Sequence, residues 1–254
     1  MTQRWRITVE YDGTPFVGWQ RQENDPSVQE TIEKAILGFS GETVTLQVAG
    51  RTDAGVHATG QTAHFDLEKP SDSKTVRDAI NAHMGTRSIA IITAEPVDQE
   101  FHARYSAKKR IYCYKITDSR IARPVIDDGR CWALRDTLDL DAMRQGAKHL
   151  LGQHDFSSFR ASECQAESPI RTLDRLDIIE ITDGFSPAGR RIEIWTEARS
   201  FLHHQVRNFV GTLRLVGDGK WQPEDIKTAL EAKDRTKAGP SAPAHGLYLA
   251  RVVY

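Results

Sequence analysis

"VTLQVAGRTDAGVHATGQTAHFDL", residues 44–67, decides how this chain can fold. At its head Val44, Leu46 and Val48 alternate with polar residues, and near its tail Ala63, Phe65 and Leu67 do the same. A period of two places each set on one side of a β-strand, so both ends read as strands with one buried face. Gly50, Gly55 and Gly60 give the segment between them the backbone freedom of a loop. Upstream, Trp5, Ile7, Val9 and Tyr11 alternate as another strand, followed by the turn signal Asp12-Gly13-Thr14. Asp25-Pro26 then reads as a helix start, with Asp as cap and Pro at the first helical position. Val28, Ile32, Ala35, Ile36 and Phe39 fall on one face of that helix before Gly41. Downstream, Val76, Ala79, Ile80 and Met84 mark a second helix, and "SIAIITAEPV" (88–97) a closing strand.

The order β-α-β-β-α-β is the ferredoxin-like arrangement shared by RNA-recognition domains. A similar alternation restarts near residue 103. "RIYCYKITD" (110–118) reads as a strand, and a helix from Asp141 carries Met143, Ala147, Leu150 and Leu151 and stops at Gly152. "RTLDRLDIIEI" (171–181) and "RRIEIWTEA" (190–198) are two strands joined by the Gly/Pro loop "TDGFSPAG" (182–189). Leu202, Val206, Phe209, Val210 and Leu213 mark a helix, Pro223 opens a short one, and "GLYLARVVY" (246–254) ends the chain as a strand. The expectation is an α+β protein of two ferredoxin-like domains, residues 1–102 and 103–254, with no sequence repeat at a fixed period. The first carries the Asp53 loop. The second carries a tyrosine-bearing strand and an arginine-bearing helix.

The 254 residues are 39% hydrophobic and 27% charged, ordinary for a globular protein. No apolar run is long enough for a membrane span, and the N-terminus passes from charge straight into a strand pattern, without the apolar stretch of a leader. A cytoplasmic protein is expected. Cys113, Cys131 and Cys164 are odd in number and far apart, which favours neither a disulfide framework nor a cysteine zinc site. The net charge of -1 hides a polarity: residues 1–102 hold 9 Lys/Arg against 15 Asp/Glu, and residues 103–254 hold 25 against 20. A basic half can meet a polyanion while the whole stays near neutral, and it is equally compatible with a solvated surface.

Signatures for nucleoside triphosphates, dinucleotides, zinc proteases and serine hydrolases are absent. His203 and His204 would not share a face if both lay on a helix, which argues against a metal pair. Asp53 lies on the loop leaving a strand, where side chains commonly converge on a binding site. Two readings fit it: a turn aspartate bonded to its own backbone, or a carboxylate held ionised by neighbouring Arg51 and able to act as nucleophile or base. His57 reads as structural. In "FHARYSAKKRIYCYK" (101–115), Arg104, Lys108, Lys109, Arg110 and Lys115 interleave with Tyr105, Tyr112 and Tyr114, equipment for holding phosphates and stacking an unpaired base. Tyr112 and Tyr114 share a strand face, so core packing is the competing reading. In "SFLHHQVRNFVG" (200–211), His203 and Arg207 stand four apart, on a common face if helical.

These three constellations, with "YDGTPFVGWQRQ" (11–22) and "AGPSAPAHGLYLARVVY" (238–254), closely resemble the tRNA pseudouridine synthase A family over nearly the whole chain. The resemblance implies two ferredoxin-like domains whose sheets join across a basic cleft. It also implies a homodimer that isomerises uridine to pseudouridine at positions 38, 39 and 40 in the anticodon stem-loop of tRNA, without cofactor or required metal. By match to "GRTDAGVHA", Asp53 looks like the catalytic aspartate and Arg51 its companion. Tyr112 looks like the residue that stacks on the target uracil, and Arg207 like the partner of the aspartate. Gln205 stands where relatives often have methionine. A glycoside hydrolase would need a second carboxyl group near Asp53, and the motif offers none. A non-catalytic tRNA-binding or folding protein of the same fold is the other alternative, although binding alone does not require a carboxylate.

Overall fold

Alternating apolar residues become strands here because each strand finds a helix or a neighbour to cover its buried face. The computed structural model describes residues 2–23, 25–182 and 189–254 and divides into two units. The first comprises residues 1–108 together with 248–254, and the second residues 109–247.

In the first unit β1 (Gln3–Tyr11) is the central strand, antiparallel to β3 (His57–Leu67) on one side and to β4 (Ile89–Val97) on the other. The short β2 (Gln47–Val48) pairs antiparallel with the far part of β3, and β10 (Leu247–Val253) runs parallel to its beginning. Trp5 faces Phe65 and Ile7 faces Ala63 across the β1–β3 ladder, and all four are buried. Each large side chain of this kind contributes about 1.5–3 kcal/mol by leaving water. Helices α1 (Val28–Ser40) and α2 (Ser73–His83) pack on one another, and α2 packs on β4.

Three boundaries here differ from the expectation. Helix α1 starts at Val28 with Ser27 as its cap, not at Asp25-Pro26. The reason is that Pro26 is already engaged, its carbonyl accepting from Val17 N–H, while the first helical amides, of Val28 and Gln29, donate back to Gly18 and Trp19. The expected strand from Val44 shrinks to two residues because the Leu46 amide donates to the buried Glu33 carboxylate at 2.9 Å rather than to a ladder. And β3 begins at His57, so the end of the glycine-bearing segment is already strand.

In the second unit β5 (Lys109–Asp118), β9 (Arg190–Ala198), β8 (Ile170–Ile181) and β7 (Gly152–Asp155) follow in that order, all antiparallel, with β6 (Trp132–Ala133) parallel to β5. Helix α3 (Leu140–Lys148) packs on α4 (Gln205–Gly217), α5 (Pro223–Glu231) and β8. Phe156, Phe159 and Phe209 meet edge to face under α4, with centroids 5.1–6.4 Å apart. Helix α3 ends at Lys148 rather than at Gly152, because the amides of His149, Leu150 and Leu151 tighten to the carbonyls three residues back. Gly152, in the left-handed region at φ 94°, opens β7 instead. Pro223 does open α5, as expected. The Gly/Pro loop "TDGFSPAG" lies almost wholly outside the described residues.

Candidate functional site

The first group of candidate residues is built where two loops of the first unit cross. Gly18 and Asp53 form an antiparallel bridge, and Trp19 N–H donates to Thr52 O at 3.0 Å. Gly18 is at φ +112°, and a Cβ there would stand 2.7 Å from Thr52 O, so this crossing requires glycine. Beneath it Tyr11 Oη meets Thr52 Oγ1 at 2.7 Å, and Gln61 Nε2 donates to Gly50 O at 2.8 Å. Burial pushes the Tyr11 phenol up to about 12, opposed by its bonds with Thr52 and Gln61, so it stays protonated and able to donate. The Asp53 carbonyl closes a tight turn by accepting from Val56 N–H at 3.1 Å, with Gly55 at φ +75° inside it. Asp53 itself is half-buried. Arg51 is exposed and forms no ion pair among the described residues, so the guanidinium expected beside the carboxylate is turned to solvent.

The other end of this turn is fastened separately. His57 is 2% exposed, accepts from Gly13 N–H at Nδ1 (3.1 Å), and stacks on Tyr248 with centroids 4.7 Å apart. Asp12 Oδ1 lies 3.2 Å from the same nitrogen. One nitrogen cannot both accept from Gly13 and donate to Asp12. The amide geometry selects the Nε2–H tautomer, and Asp12 Oδ1 finds a donor in Thr14 N–H at 3.0 Å.

A second group lies in the second unit. Arg110, Tyr112 and Tyr114 alternate on one face of β5. Tyr114 is wholly buried, donates to Pro243 O at 2.8 Å and packs so closely on Gly246 that a Cβ there would fall 2.5 Å from its ring. Burial raises its phenol far above the usual range. It is a core residue. Tyr112 is 9% exposed, lies opposite Thr196 on β9 and receives Phe201 edge-on at 5.2 Å. The Arg110 guanidinium donates to Arg199 O at 2.6 Å.

Arg207 sits in the first turn of α4, its Nε donating to Ala242 O (2.8 Å) while its own carbonyl accepts from Ala242 N–H (3.0 Å). The extended segment 238–243 is thereby laced to the helix, aided by Gly239 N–H to Thr212 Oγ1 at 3.0 Å and by Ser241 to Asn208. Gly211 makes this possible: a Cβ there would meet Pro240 O at 1.7 Å. Gln205 turns its Oε1 to Leu202 N–H at 2.7 Å and fixes the entry to the helix. His203 and His204 precede α4 rather than lying on it, and His204 adopts φ 60°. The helical face expected for His203 and Arg207 is therefore not formed. The two imidazoles instead stand with centroids 4.0 Å apart.

Asp53 and Arg51 thus share one loop of the first unit, and Tyr112 and Arg207 belong to the second. The sequence marks Gly13 as a turn and places Gly18 and Phe201 within motifs, but what each of the three touches is not legible there, because it depends on distant segments. What the first unit can offer a reaction is a carboxylate on a loop pinned at both ends. The second can offer an aromatic face and a guanidinium on rigid supports.

A family model described as tRNA pseudouridine synthase matches residues 7–106 and 147–254. The chain is 56% identical over 251 residues to a tRNA pseudouridine synthase A of Paramagnetospirillum magneticum, covering 99% of this chain and 95% of that one. It is 51% identical over 253 residues to one of Sinorhizobium fredii, with 99% of both chains covered. Against one of Methylocella silvestris the identity is 55% over 251 residues, with 99% and 98% covered. The relatives cover nearly the whole chain, whereas the family model passes over residues 107–146, which hold Tyr112. The chain belongs to the tRNA pseudouridine synthase A family.

Proposed function

We propose that this protein isomerises uridine to pseudouridine at positions 38, 39 and 40 in the anticodon stem-loop of tRNA, as a homodimer of chains each built from two ferredoxin-like domains divided near residue 102. Asp53 is its essential carboxylate. Tyr112 stacks on the target uracil, and Arg51 and Arg207 bind the substrate. The observation that carries this reading is the half-buried Asp53 on a loop fastened from both sides, in a chain whose relatives bear the synthase name. The strand order β4-β1-β3 with β2 on the far edge of β3, and the run β5-β9-β8, support the ferredoxin-like reading.

The chemistry suits these groups. The C1′–N1 bond of uridine breaks, the uracil turns, a C1′–C5 bond forms, C5 gives up its proton and N1 gains one. Atoms and redox state are conserved, so the reaction itself calls for no cofactor. One carboxylate suffices whether it attacks the sugar, attacks the base or removes the 2′ proton. The target uracil must leave its stack, at a cost of about a few kcal/mol, and an aromatic partner offsets part of it. Holding the detached base beside the sugar keeps its effective concentration high for reattachment. An exposed Arg51 suits a phosphate better than an internal ion pair.

The test uses tRNA carrying tritium at uracil C5. Wild type should release tritium; Asp53→Asn should lower that rate by roughly 10⁴-fold while its affinity for tRNA stays within about 3-fold. No release from wild type would leave a tRNA-binding or folding role. Loss of affinity together with activity in Asp53→Asn would reduce Asp53 to a structural residue.

A further inference from the structure

We infer that His57 is a positioning residue for Asp53: as the neutral Nε2–H tautomer it accepts the Gly13 amide and so fixes the downstream end of the catalytic loop. This rests on the assignment of Asp53 as the catalytic carboxylate.

The loop is held at two places. Upstream, Gly18 and Trp19 grip Thr52 and Asp53 through backbone bonds. Downstream, the chain at Val56 and His57 is gripped by Gly13, in two ways. A Cβ at Gly13 would fall 2.1 Å from Val56 O, so two backbones touch there. The Gly13 amide, with no strand partner of its own, ends on His57 Nδ1 at 3.1 Å. Between these grips Asp53 heads the short turn closed by Val56 N–H, so the backbone that aims its carboxylate is set from both ends.

The ring is oriented for this task. Tyr248 lies opposite His57 in the β3–β10 register, and its ring stacks on the imidazole at an interplanar angle of 21°. That contact fixes the plane of the ring and therefore the direction of its Nδ1 lone pair. Phe in place of His keeps the stack and the burial but brings no acceptor, and it would leave the Gly13 amide unsatisfied. Asn places its Oδ1 where Nδ1 stood. Gln reaches instead to the position of Nε2.

A packing role and a positioning role make opposite forecasts for these variants. Under a packing role Phe is the mildest change, because volume and stacking survive. Under the positioning role Phe is the harmful one. A carboxylate displaced by about 1 Å costs as much as 10²-fold in rate. The expected result is that His57→Phe keeps a cooperative unfolding transition and a KM for tRNA within about 3-fold of wild type, with kcat lower by about 10- to 100-fold. His57→Asn should recover most of that kcat, and His57→Gln should not. A His57→Phe protein with wild-type kcat, or an Asn variant no better than Gln, would overturn the inference. If His57→Phe fails to fold, the contrast between Asn and Gln decides alone. Asp53→Asn is assayed beside them. Activity in Asp53→Asn removes the premise, whereas an inactive Asp53→Asn beside a fully active His57→Phe refutes only the positioning role.

Discussion

His64 shows how one buried imidazole reports on the first unit. It is 3% exposed on β3, accepts from Ala103 N–H at Nδ1 (3.1 Å) and makes a second bond with the Gln47 backbone. Burial first, then the Arg4 guanidinium and His102, lowers its pKa from 6.5 to about 4, with Asp66 opposing. The folded state therefore prefers the neutral ring, and the unfolded chain takes up the proton more readily. The stability that His64 confers is complete above pH 6.5 and is lost as the pH falls from there to about 4. The loss is on the order of 2 kcal/mol. His64→Gln, which cannot titrate, should flatten the fall in unfolding temperature across that window; equal slopes for variant and wild type would sink the assignment. The sequence showed Asp53 as a candidate because its whole motif is local, but it could not show the work of His57. Gly13 stands 44 residues away from His57, and Tyr248 arrives from the last strand. Likewise the pattern placed Tyr112 and Tyr114 on one strand face, and only the Pro243 and Gly246 contacts separate the core tyrosine from its neighbour.

At the scale of elements, α4 and the segment 238–243 act as one piece. The periodicity of Val206, Phe209, Val210 and Leu213 was enough to reveal the helix, and all four are buried. It could not reveal that the helix starts only at Gln205, since Leu202 is buried as well but in the turn before it. Nor could it show that an irregular strand of chain lies against Gly211. Arg207 is held by that segment, so its guanidinium direction is set by a contact one turn further along the helix. Gly211→Ala should force Pro240 away from α4, since backbone cannot yield as a side-chain tip can. The expected cost is about 1–3 kcal/mol. Tritium release should fall with it, because Ala242 moves with Pro240. Urea unfolding and the release assay on the same preparation check both. A variant with an unchanged midpoint would mean that the close approach at Gly211 contributes nothing to stability.

At the scale of the whole molecule, the linear division near residue 102 that the alternation suggests leaves out one fact of topology. The last strand belongs with the first unit: β10 runs parallel to β3, Gly60 packs on Ala250 O, Lys108 N–H donates to Val253 O at 2.8 Å, and Tyr254 Oη donates to Ala103 O at 2.8 Å. A local pattern identifies a strand and its buried face, but not which sheet it joins, because pairing partners are chosen by contacts between remote residues. "GLYLARVVY" was legible as a strand and silent about its neighbours. The consequence can be measured. Removing residues 247–254 takes away Leu249 and Val252 from a buried face, each worth about 1.5–3 kcal/mol. It also strips the stacking partner from His57 and the acceptor from Lys108 N–H. The damage should concentrate far upstream in sequence, in the first unit, with amide hydrogen exchange accelerating in β1 and β3 while β8 and β9 keep their protection, since the β8–β9 ladder has no part in these contacts. Equal loss of protection in both units, or none in β1 and β3, would contradict the assignment of the last strand to the first unit.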